Sequence, residues 1–216
     1  MRLPTQRNVP LFAWALTTTV LALAFFAWGQ SYHWQLGSLS VYQIFPLFGL
    51  IALSTMWAQY MAGALQQWQQ LDGKLLQRYY AITGFIVLVA ILIHPGLLSW
   101  QLWHDGFGLP PGSELHFVGA GLRVAVVIGM TALLIFLAYE LRRRFAGRRW
   151  WRFMDILVDL AVIGVFYHSL TLGMQTRHGW FRAVWILYGI SFILAVTYKY
   201  AAKALSYKNH RIRQIK

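Results

Sequence analysis

Six separate runs of apolar residues, each close to twenty long, dominate this chain of 216 residues. They fall at about 11–29, 41–65, 79–102, 117–141, 153–174 and 183–205. A bilayer core of about 30 Å needs roughly 20 apolar residues at about 1.5 Å of helix rise each. Within lipid a backbone must satisfy its own hydrogen bonds, so helix is the conformation such runs adopt. The expectation is an all-α integral membrane protein, a six-transmembrane-helix bundle forming a single membrane domain over 1–216. The short connections leave no room for a soluble domain. Composition agrees, with 58% hydrophobic and 12% charged residues. The N-terminal MRLPTQRNVPLFAW looks like the start of a signal peptide. The run after it is of full span length and lacks a small-residue cleavage site, so it reads as a retained first helix.

The formal charge of +13 invites a nucleic-acid reading, but its placement speaks for topology. Of the 19 Lys and Arg, Arg2 and Arg7 precede the first span, and Lys74 and Arg78 lie between the second and third. Arg142, Arg143, Arg144, Arg148, Arg149 and Arg152 fill the loop RRRFAGRRWWR, and six more follow Tyr198 into a basic tail at about 206–216. All of these fall on one side. Arg177 and Arg182 fall on the other, and Arg123 lies just inside span four. The positive-inside rule then predicts cytoplasmic N- and C-termini, with a cell inner membrane or plasma membrane as the location. The partner this charge implies is the lipid bilayer, with some attraction to anionic lipid, and no nucleic acid. The chain contains no Cys, which excludes disulfides, thiolate metal sites and covalently attached haem.

Five of the seven histidines (His33, His104, His116, His178 and His210) fall in loops or at span ends. His94 in VAILIHPGL and His168 in IGVFYHSLT lie inside apolar spans, where an ionisable residue is a functional candidate. Each follows a basic residue by 16 positions, His94 after Arg78 and His168 after Arg152, on spans running in the same direction. Both imidazoles therefore sit roughly 24 Å from the inner charged edge at 1.5 Å per residue. Two imidazoles at one height on parallel helices suit axial ligation of a haem iron between them. They also suit polar contacts between helices, and spacing does not separate the two. A zinc site would want a third ligand, and none is evident at that depth. Pro95 and Gly96, directly after His94, either kink the third helix or end it early.

At these residues a family resemblance enters. RYYAITGFIVLVAILIHPGLL resembles the third helix of ferric-reductase-like transmembrane domains, in which an Arg and a Gly precede an apolar run ending in a haem-ligating His. GLRVAVVIGMTALLIFLAYELRRRFAGRRWWRFMDILVDLAVIGVFYHSLTLG is similar to that family's helices four and five, where a basic loop leads to Arg-Trp and then to two histidines. The family includes NADPH oxidase cores, ferric reductases and the haem-binding membrane subunit of the bacterial methionine sulfoxide reductase system. The resemblance covers about 41–175. It implies that His94 and His168 are the outer haem ligands. The family's inner ligand positions fall at Tyr80 and Asp155, which are not a usual axial pair, so the resemblance implies one outer haem b and no two-haem wire.

The resemblance implies a membrane electron-transfer protein relaying electrons toward an extracytoplasmic acceptor. No G-x-G-x-x-G fingerprint occurs in the chain. As an oxidoreductase subunit it would lack its own flavin or nicotinamide domain and take electrons from a quinone (as quinol), a partner-bound flavin or another redox partner protein. Arg123, Arg177 or His178 are candidates to hold the haem propionates. Asp155 and Asp159, four apart on one helix face, are expected to pair with the basic loop or to form a proton or quinone site. His104, Asp105, Glu114 and His116 in the loop HDGFGLPPGSELH form either a polar docking surface or a site for a hard or borderline metal. The competing class is a non-redox membrane protein (a transporter, assembly or scaffold subunit) in which His94 and His168 only join helices.

Overall fold

A computed structural model describes residues 8–145 and 152–215 of the chain, with side chains described over 8–141 and 153–205. The described residues form helices joined by short turns, without a strand, and six of the helices are long and apolar enough to cross a membrane. These are α1 (Val9–Ser31), α2 (Val41–Trp68), α3 (Gln77–His104), α5 (Arg123–Phe145), α6 (Arg152–Leu172) and α8 (Gly179–Ile215). Two short helices, α4 (Gly112–Phe117) and α7 (Met174–Arg177), lie in the connections.

Two boundaries differ from those read in the sequence. The fourth span does not begin at 117. Residues 112–117 form α4, Ala120–Leu122 form a 3-10 turn, and the long helix starts at Arg123. Val118 and Gly119 are extended, and the two glycines of VGAG weaken any helix that would bridge the gap. The third helix does not end at Pro95-Gly96 but continues to His104. Proline removes only one backbone bond, the one that would reach the Ile91 carbonyl, and spans tolerate such losses where neighbours compensate. Pro46 is likewise carried inside α2.

Helix α2 occupies the middle of the bundle, packed on α1, α3 and α8. Helices α5 and α6 form a second hairpin, joined to the first through α8, which touches both α2 and α6. The long helices thus run α3, α2, α8, α6, α5 around an arc. The interior of the arc is a single apolar cluster built from Leu53 and Met56 of α2, Val87 of α3, Phe136 of α5, Val162 and Phe166 of α6, and Trp185 and Phe192 of α8. A smaller cluster of Val9, Ala13, Ala62, Leu76 and Tyr79 closes the end where α1, α2 and α3 meet the loop carrying Lys74. This is the basic end of the bundle, where the sequence also places the 142–152 loop.

Candidate functional site

His94 is the eighteenth residue of α3 and His168 the seventeenth of α6, so the two imidazoles stand at one level of two helices that start at the basic end. Each ring is held in the same way. His94 Nδ1 lies 2.9 Å from the carbonyl oxygen of Phe45 on α2, and His168 Nδ1 lies 2.8 Å from that of Ala125 on α5. A carbonyl only accepts, so in both rings Nδ1 carries the proton and donates it. The lone pair is then on Nε2, which has no hydrogen-bond partner among the described residues.

The seat of each ring is a glycine four residues after the accepting carbonyl. A Cβ built on Gly49 would lie 2.9 Å from His94 Cε1 and 3.0 Å from Nδ1. One built on Gly129 would lie 2.6 Å from His168 Nδ1 and 2.7 Å from Cε1. Any larger residue at either place would push the ring off its carbonyl. The α2–α3 and α5–α6 hairpins thus repeat one device, a carbonyl and a glycine one turn apart on the first helix and a histidine on the second. No repeat is visible in the sequence, because the flanking residues differ. The only trace is a glycine within each apolar run.

The two rings are within electrostatic reach of one another, although α3 makes little direct backbone contact with α5 or α6. Each ring remains partly accessible. Toward the basic end the space beneath them is filled by the apolar cluster that includes Val87, Ile91, Ala132 and Val162.

Arg123 opens α5 two residues before Ala125, close in sequence to the carbonyl that holds His168. Its Nε donates to the Leu115 carbonyl at 3.1 Å, and its terminal nitrogens have no bond among the described residues. Arg177 and His178 are exposed at the α7–α8 junction, where the Arg177 carbonyl accepts from Arg182.

The other candidates separate from this site. Tyr80 packs among α1, α2 and α3 beside Tyr79, with its hydroxyl against Gly63. Asp159 is 3% exposed and accepts from Tyr60 on α2 and from Lys199 and Tyr200 on α8, each at 2.7 Å. The expected pairing with the basic loop is therefore corrected for Asp159. Lys199 arrives from α8 at the depth of the carboxylate, while the loop side chains lie outside the described residues. Asp155 sits within electrostatic range of Tyr200.

The loop His104, Asp105, Glu114 and His116 is not gathered into a metal site, and no group of three ligating side chains occurs among the described residues. Asp105 is engaged by Tyr42 (2.6 Å), Gln101 (2.8 Å) and His104 (3.5 Å). The Tyr42 hydroxyl bond is the main reason its carboxyl titrates below the usual carboxylate range. Glu114 is buried and accepts from Ser99 and Ser113, while His116 is exposed on α4. Asp105 and Glu114 thus join α2, α3 and α4 at the helix ends.

No family model, curated protein or solved structure matches this chain, and a functional reading rests on its own geometry.

Proposed function

We propose that the chain is a membrane electron carrier that holds one b-type haem between the α2–α3 and α5–α6 hairpins, with His94 and His168 as axial ligands. The observation that carries this reading is the doubled device. Metal-bound imidazoles characteristically donate the other ring nitrogen to a carbonyl or carboxylate, which fixes the tautomer and raises ligand basicity. Here two rings at one level do so, each over a glycine that leaves room for nothing else. Two histidines that merely joined helices would have no need to turn both Nε2 lone pairs away from every partner.

A haem held by two imidazoles would supply one-electron transfer rather than substrate binding. The chain's own part is to fix the two rings and offer the Arg123 guanidinium to a propionate. Arginine suits this because it remains charged and forks onto carboxylates. In the orientation set by the positive-inside rule, the termini are cytoplasmic, in a plasma or inner membrane, and the site lies toward the outer face. No inner ligand pair accompanies it. Tyr80 is committed to packing, and the aspartates of α6 provide no imidazole, Asp159 being taken up by its ion pair. Such a haem group would take electrons from a quinol or a partner protein and pass them toward an extracytoplasmic acceptor.

The test is the visible spectrum of the purified protein. Dithionite reduction gives the bands of a low-spin b-type haem, and both His94→Ala and His168→Ala abolish them while Arg123→Gln retains them with weakened haem affinity. A colourless protein from cells supplied with haem would reject the reading and leave the histidines as helix contacts.

A further inference from the structure

The seam between α2 and α8 carries polar groups that take no part in holding the histidines. Ser54 is 0% exposed, and its Oγ has no partner. A helical serine or threonine in an apolar setting ordinarily bonds back to its own helix, as neighbouring Thr55 does to the Ile51 carbonyl at 2.7 Å. Ser54 does not. The Tyr188 hydroxyl on α8 is also buried and without a partner. Trp57, one turn beyond Ser54, stacks on the Tyr188 ring at 4.1 Å and donates to Ser191 Oγ at 2.9 Å. Ser54 thus lies one helical turn from the residue that stacks on Tyr188, and the two orphan hydroxyls flank the same stretch of α2 and α8. Further toward the basic end the seam reaches Tyr60, whose hydroxyl donates to Asp159, and then Lys199 and Tyr200.

A buried polar group without a partner costs about 1–3 kcal/mol, and in native proteins such groups are usually served by internal water. A carboxylate and an ammonium in the span are costlier still and mark ion or proton paths. Lys199 is the seam's outlet, its side chain 38% exposed against 4% for Asp159. Helices α2 and α8 run in the same direction. Six residues separate Ser54 from Tyr60, about 9 Å, and eleven separate Tyr188 from Lys199, about 16 Å.

We propose that the α2–α8 seam is a one-sided inlet for water and protons, leading from the Asp159–Lys199 pair at the basic end to Ser54 and Tyr188 in the core. The Asp159 carboxylate takes up a proton that enters beside Lys199. Tyr60, the intervening water and Tyr188 each accept one proton as they release one. Each proton passed inward is matched by one passed back out, so hydrogen exchanges along the seam with no net charge carried to its closed end and no oxidant or reductant involved. The inlet stops five residues, about 8 Å, short of Gly49, the seat of His94. It does not depend on what the histidines hold.

The absence of cysteine makes the test direct. Ser54→Cys changes one atom, and Ala52→Cys places a control thiol at a core position of the same helix that is 3% exposed. Each variant, in sealed membrane vesicles of known orientation, is exposed to silver ion and then counter-labelled with a maleimide. The expected result is blocking of Ser54→Cys at least tenfold faster than of Ala52→Cys, and only from the face carrying the basic end. Equal slow rates would show a dry seam, and equal fast rates or access from both faces a loose bundle; either overturns the inlet. The proton step is read from S–H to S–D exchange of the same thiol by infrared spectroscopy in D2O. Adding Asp159→Asn, or Tyr60→Phe where the first does not fold, is expected to slow exchange at least fivefold. Unchanged exchange would overturn the proton route.

Discussion

Replacing Gly129 by alanine puts the proposed cradle under direct strain. The new Cβ would stand 2.6 Å from His168 Nδ1 and needs about 3.4 Å for ordinary contact, so the ring must move by about 0.8 Å. That displacement breaks the 2.8 Å bond to Ala125, a net loss of about 1 kcal/mol. Overpacking adds about 1–3 kcal/mol. Alanine in place of helical glycine returns about 1 kcal/mol. The balance is a destabilisation of about 1–3 kcal/mol. At Gly49 the nearest contact is 2.9 Å, so Gly49→Ala is expected to be milder. At Gly84, with nothing within 4 Å of the new atom, only the helix propensity remains and Gly84→Ala stabilises by about 1 kcal/mol. Thermal unfolding in one detergent ranks the three variants, and the haem absorbance of each gives an independent reading. Expected are stabilities in the order Gly84→Ala, Gly49→Ala, Gly129→Ala, with haem content falling in step for the last two. A Gly129→Ala protein as stable as Gly84→Ala would show that the ring has room to spare, and would refute the equivalence of the two seats.

Two further perturbations probe the polar contacts. Lys199→Met leaves the buried Asp159 side chain with only the Tyr60 and Tyr200 hydroxyls, and because Lys199 is 38% exposed the cost falls below the about 3–5 kcal/mol of a fully buried pair. Asp159→Leu strands a lysine that can reach water along its stem, so chemical unfolding should find Lys199→Met the more damaged, with the double variant recovering part of the loss; the opposite order would contradict the burial asymmetry. At the other end, Tyr42→Phe removes the main bond that lowers the Asp105 carboxyl. A depressed carboxylate contributes stability that is complete above its unfolded pKa and disappears as pH falls through its folded one. The difference in Tm between wild type and Tyr42→Phe should therefore be present at pH 7 and vanish below the carboxylate range, and a difference persisting in acid would locate it elsewhere.

Much of this fold is legible in the sequence because lipid imposes one rule on every span. Apolar length alone places α1, α2, α3, α6 and α8 within a few residues of their ends, the extension of α8 into the basic tail excepted. The start of α5 escapes because hydropathy does not distinguish a helix from the apolar turn VGAGL. His94 and His168 stand out by type and depth, since an imidazole amid valines and leucines needs a reason. Their supports do not. Phe45 and Ala125 act through carbonyls, which every residue has, and Gly49 and Gly129 resemble any of the other glycines of the spans until the ring above them is seen. Asp159 is visible as a charge in a span, but its partner Lys199 lies forty residues away on a helix whose rotation only packing fixes.

Electron entry would be as one-sided as the bundle itself. The two hairpins support their histidines in the same way, so the asymmetry of the molecule lies toward the basic end. There the first hairpin packs Tyr80 against Gly63, and the second delivers Asp159 to Lys199 and Tyr60. The resemblance noted in the sequence would put a second haem's histidines at Tyr80 and Asp155, the latter one turn from Asp159. The ring of such a haem would displace a packed tyrosine on one side and crowd the buried ion pair on the other. In the basic half of the bundle these polar and aromatic contacts join α2 to α3, α6 and α8. On the proposed reading, a carrier built this way would draw its electrons from within the membrane or from the face nearest the histidines.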